Sequence, residues 1–107
     1  MDLSTVYVTV ADRDSAHRIA HALVNERLAA CVNVLSPLES VYRWEGRVTV
    51  DEEVALVVKT TTARVEEVVE RVRELHDASV PCITAWPITA GNPDYLRWVA
   101  DACATEA

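Results

Sequence analysis

Val41-Tyr42-Arg43-Trp44-Glu45-Gly46 stands where two long strand-like runs meet. Alternate side chains of a strand share a face, so Tyr42 and Trp44 point the same way. Glu45-Gly46 supplies the turn, and Gly46 is free to take positive φ. Backwards from the turn, residues 30–35 read as a strand that Ser36-Pro37 interrupts as a bulge or bend. Proline has no N–H to give to a ladder, and the strand resumes after it as far as Trp44. Forwards, residues 47–60 return as a partner strand, with Val48, Val50, Val54, Leu56 and Val58 in one parity. At about 3.3 Å per residue the arms run roughly 45 Å, too long for one small domain. The excess is expected to project, or to bend onto another subunit. A bulky apolar pair at a projecting tip calls for a partner chain.

The rest of the chain frames this hairpin. Residues 5–10 alternate, Val6, Val8 and Val10 against Thr5, Tyr7 and Thr9, which predicts a half-buried strand. Asp12 or Asp14 can cap a helix whose stripe is Ala16, Ile19, Ala20, Leu23 and Val24. Val65, Val68, Val69, Val72 and Leu75 make a second helical stripe, with Glu67 and Arg71 spaced as an i,i+4 pair. The valines lower helix propensity, so packing must hold that helix. Residues 82–89 read as a fourth strand, and Pro87 inside it predicts an edge position. Asn92 as cap and Pro93 at the first helical position open a last helix. Its apolar residues, among them Tyr95 and Trp98, cover more than one face, which again points to a neighbour. The order β-α-β-β-α-β-α, with right-handed crossovers, predicts an α+β fold. It is a ferredoxin-like split βαβ sandwich, with an antiparallel sheet and two helices on one face.

Length and composition set the bounds. The 107 residues are read as a single domain, 1–107, large enough for a modest core. A net charge of −7 argues against nucleic acid or an anionic membrane as partner. No apolar run is long enough to span a bilayer. The chain enters a strand at once without a basic, signal-like start, which favours the cytoplasm. Three cysteines, Cys31, Cys82 and Cys103, are too few and too widely spaced for a zinc signature or a disulfide framework.

Four motifs in register carry a resemblance. Residues 28–33 (Leu-Ala-Ala-Cys-Val-Asn), the Val41–Gly46 tip, Glu53 with residues 56–60 (Leu-Val-Val-Lys-Thr), and residues 94–98 (Asp-Tyr-Leu-Arg-Trp) resemble the CutA family of divalent-cation tolerance proteins. The likeness runs from about Val6 to Val99. It implies a homotrimer whose long hairpins wrap onto neighbouring subunits, and a role in copper or other metal tolerance without catalysis. It fixes no cofactor, though copper or another divalent cation is the implied ligand. Glu53 and Lys59 match residues that recur in the family, which marks them as a ligand or cation patch. The segment from His76 to Cys82 departs from the family's His-Pro-Tyr-Glu-x-Pro-Glu. His76 and Pro81 are kept, while Ala78, Ser79 and Cys82 replace the Tyr and both Glu.

Several side chains are candidates for chemistry. Cys31 opens a strand and reads as a small buried hydrophobe, or as a thiolate ligand for soft Cu(I). His76 ends the second helix, where a helix dipole favours its cation or where it caps a carbonyl. With Cys82 it forms the alternative metal pair, and sulfur in place of a carboxylate moves preference towards Cu(I) or Zn. His17 and His21 lie four residues apart on one helical face. Such a pair can bind a divalent ion, and lacking a third ligand it reads as solvated surface. Asp51-Glu52-Glu53 reads as a charged strand that blunts edge pairing, or as a cation patch. Tyr42, Trp44, Tyr95 and Trp98 are expected at an oligomer interface. A trimeric small-ligand sensor of the nitrogen-regulatory type is the competing function. No glycine-rich phosphate cradle supports it, with only two glycines in the chain. No catalytic residue is expected.

Overall fold

The computed structural model describes residues 2–104. Its elements are β1 (Leu3–Val10), α1 (Arg13–Asn25), β2 (Cys31–Trp44), β3 (Arg47–Thr61), a 3₁₀ turn (Thr62–Arg64), α2 (Val65–Leu75), β4 (Ile83–Pro87) and α3 (Pro93–Ala102). The strands form one antiparallel sheet in the order β2-β3-β1-β4. This is the expected α+β architecture, with β4 at an edge. β4 is shorter than residues 82–89, because Pro87 closes it opposite Ser4 with no N–H to offer.

The core lies between the sheet and the helices α1 and α2. Val6, Val8, Leu56 and Val58 from the sheet meet Ile19, Leu23, Val68 and Val72 from the helices. α1 starts where Asp12 accepts the Ser15 amide at 2.7 Å. α2 has no side-chain cap, and its valines are poor helix formers, so burial of Val68 and Val72 supplies its stability. The expected Glu67–Arg71 pair does not form. Arg71 reaches back to Glu26 at the end of α1, with Nε 3.0 Å and Nη2 2.9 Å from its carboxylate, while Glu67 faces Arg64. A two-pronged guanidinium contact between helices outcompetes a single contact along one helix.

β1 is buried on both faces rather than one. Thr5 and Thr9 are buried, as are the valines between them. Thr5 sits directly between Lys59 and Trp86 in the adjacent strands. Thr9 lies under the segment that follows α2, its N–H donating to the Cys82 carbonyl at 3.3 Å. A second, smaller core joins Leu3, Ala30, Val99 and Cys103, and holds α3 against one end of the sheet. Arg64 Nε secures that helix by donating to the Cys103 carbonyl at 2.7 Å.

The β2–β3 ladder runs from Cys31–Lys59 to Trp44–Arg47, with its register shift between Leu35 and Leu38 around Ser36-Pro37. At the tip Glu45 (φ 50°) and Gly46 (φ 78°) are both left-handed. That is the two-residue turn whose twist matches its strands, and it includes a non-glycine residue that the sequence did not single out. The molecule measures 47 × 26 × 21 Å, the long axis reflecting this arm.

Candidate functional site

The arm continues the sheet past the helices that cover it. Near the body, Val54, Leu56 and Val58 are buried. Further out, in the same parity, Val50 and Val48 are 56% and 64% exposed, as their neighbour Val41 is at 66%. Tyr42 and Trp44 occupy the opposite face of the arm, 39% and 45% exposed. The arm therefore presents apolar side chains on both faces that its own chain covers only in part.

Tyr42 has one fixed polar contact. Its hydroxyl donates to Asp51, the diagonal neighbour across the ladder. This bond, followed by partial desolvation and the nearby carboxylates, raises the phenol above its ordinary value of 10.0. Asp51 is thus committed to positioning an aromatic ring. Glu52 faces Glu39 directly across the ladder, and Glu53 faces Leu38. Asp51's role was not legible from local pattern, because the diagonal contact depends on ladder register.

A hollow of about 610 Å³ opens between the arm and the His76–Cys82 segment, walled by Tyr7, Tyr42, Trp44, Glu53, His76 and Cys82. His76 is the end residue of α2, and its N–H donates to Val72 O at 2.8 Å. Its Nε2 lies 2.8 Å from the Thr9 carbonyl, and its Nδ1 accepts the Ala78 N–H at 3.0 Å. A carbonyl needs a donor and an amide needs an acceptor, so the ring is the Nε2–H tautomer. The ring thus bonds a carbonyl of β1 rather than one at the end of its own helix, and it clasps the segment to that strand. Both ring nitrogens are engaged, and a metal at either one displaces a hydrogen bond. Cys82 is exposed beside it.

Cys31 is elsewhere. It is half-buried and directly opposite Lys59. Burial first, and then Cys31, raise the Tyr95 phenol above 10.0. Among the described residues no three His, Cys, Asp or Glu side chains converge on a point that could hold an ion. One chain therefore does not bring His76, Cys82 and Cys31 together. Glu53 and Lys59 are likewise apart, six residues along β3, and Lys59 donates to the Asn33 side chain. Tyr95 and Trp98 stack at 5.6 Å on the outer side of α3, 39% and 47% exposed. Tyr7 and Trp86, with ring centroids 6.3 Å apart on the sheet face away from α1 and α2, form a pair not expected from the sequence. The shared parity of Tyr7 with Thr5 and Thr9 was the available signal.

Residues 4–102 match the family described as CutA1 divalent ion tolerance protein. The divalent-cation tolerance protein CutA of Thermus thermophilus is 50% identical over 90% of this chain and 93% of its own length. The chloroplastic protein CutA of Arabidopsis thaliana is 43% identical over 91% of this chain, which spans 53% of that longer protein. The solved structure of the Thermus thermophilus protein superposes with a TM-score of 0.91 at 48% identity, covering 94% of this chain and 97% of that one. CutA from Xylella fastidiosa gives 0.94 at 35% identity, over 97% of this chain and 100% of the other. The match spans the sheet, all three helices and the arm, and the chain belongs to the CutA1 family of divalent ion tolerance proteins.

Proposed function

We propose that this chain works as a homotrimer in divalent-cation tolerance, copper included, as a binding and homeostasis protein rather than an enzyme. The observation that carries the proposal is the partly exposed arm, with Val41, Val48 and Val50 on one face and Tyr42 and Trp44 on the other. Exposed apolar surface of this extent marks an interface. Tyr95 and Trp98 on α3 supply a second patch for the same assembly. The relatives named for divalent-cation tolerance supply the physiological role. Metal contact in this reading is weak and soft, centred on exposed Cys82 with His76, and with Cys31 as a separate thiol. Binding at His76 gives up one of the two hydrogen bonds that clasp its segment to β1. Glu53 and Lys59 serve as a charged patch rather than as a joint site. Cytoplasmic residence and the absence of nucleic-acid or membrane partners complete the reading. Among the described residues no helix is long and apolar enough to cross a membrane.

The hollow beside His76 favours one alternative, a trimeric sensor of a small ligand held against Tyr7, Tyr42 and Trp44. Native mass spectrometry of the metal-loaded and metal-free protein separates the readings. The proposal expects three chains and a mass increment that follows added metal. A trimer retaining an organic mass through desalting, with no metal increment, supports the sensor instead.

A further inference from the structure

The three histidines of this chain are differently committed. His76 engages both ring nitrogens within the fold. His17 and His21 stand one turn apart on the exposed flank of α1, with ring centroids 6.4 Å apart and ring planes at 36°. Neither has a hydrogen bond or an ion pair among the described residues. Both keep their imidazole lone pairs available to solvent.

We propose that His17 and His21 form a surface chelate for a borderline divalent cation, Cu(II), Ni(II) or Zn(II). A spacing of four residues puts two imidazoles on one helical face, as in the two ligating histidines of the H-E-x-x-H pattern. Imidazole suits these three ions, and Cu(II) stands highest in their affinity order. The backbone under the pair is already fixed. Ala16, Ile19, Ala20 and Leu23 bury the opposite side of α1, and Asp12 caps its start. The side chains need only rotate to close on an ion.

The charges around the pair are mixed. Asp14 lies one turn before His17 and adds negative potential, while Arg13 on the same flank opposes it. Arg18 turns away to the Leu75 carbonyl at 2.9 Å and towards Asp77 at 3.9 Å. No third protein ligand converges here, so water or a second molecule completes the coordination sphere and affinity is modest. This site is separate from the His76–Cys82 segment and does not depend on the oligomeric state.

Ni(II) is the probe of choice, because it does not oxidise thiols on binding. Calorimetric titration of the full chain is compared with His17→Gln, His21→Gln and a His76→Gln/Cys82→Ser variant. Glutamine is a good helix former at these exposed positions, so the fold is retained, which circular dichroism checks. The expected result is one Ni(II) per chain. Affinity falls at least about tenfold in each α1 variant and holds in the His76→Gln/Cys82→Ser variant. Electron paramagnetic resonance of the Cu(II) form, prepared on a Cys82→Ser background that removes the exposed thiol, should show two coupled imidazole nitrogens, reduced to one by either α1 substitution. Absent Ni(II) binding, undiminished affinity in both α1 variants, or loss confined to the His76→Gln/Cys82→Ser variant each overturns the proposal.

Discussion

Trp44 concentrates the account at the scale of one residue. It is an indole at a hairpin tip that its own chain leaves 45% exposed. Buried in an interface, its truncation in Trp44→Ala should cost roughly 3–5 kcal/mol and shift the chain towards monomer. Thermal melting and sedimentation check this, and an unchanged oligomer would speak against it. Asp12 gives a prediction in pH. Its bond from the Ser15 amide lowers its carboxyl from 3.8. A depressed carboxyl stabilises the fold above 3.8 and loses that contribution as pH falls through its folded value. Asp12→Asn should therefore lose less stability than wild type on acidification below pH 4, read by melting temperature. Tyr42 behaves in the opposite sense. Its raised phenol stabilises the arm below pH 10 and ceases to as pH rises through its folded value. Alkaline titration of phenolate absorbance should lose one component that titrates above pH 10 in Tyr42→Phe.

At the scale of elements, alternation and punctuation made the arm readable. Period-two apolarity marks β2 and β3, Ser36-Pro37 marks the register shift, and Gly46 marks the turn. The Asn92 cap and the edge position of β4 were equally legible, since each rests on local chemistry, which also narrowed the α1 cap to Asp12 or Asp14. Contacts made across the chain were not. Arg71 chooses Glu26, 45 residues away, and Thr9 is covered by His76, 67 residues away. Neither separation leaves a local pattern. The same limit applies to the site. Aromatic exposure at Tyr42 and Trp44 follows from arm length, whereas the His76 tautomer depends on Thr9 and Ala78 together. The directly opposed Glu39 and Glu52 carry an element-scale prediction. Like charges facing each other across a ladder destabilise it, so Glu52→Gln should raise arm stability by about 0.2–1 kcal/mol. Hydrogen exchange of the 38–53 amides reads the change, and faster exchange would mean that something outside the chain holds the pair.

For the whole molecule, two surfaces have opposite fates. The face of the sheet under α1 and α2 is sealed, and Leu23→Ala there should cost about 2–5 kcal/mol whatever the assembly state. The arm and the outer side of α3 remain apolar and open in the single chain. An obligate assembly burying them should exceed roughly 2,000 Å² of total interface and should survive dilution. Sedimentation of the purified chain across a wide dilution series tests this most directly. A single species of three chains at every concentration is the predicted result; a folded, stable species with the mass of one chain would contradict it.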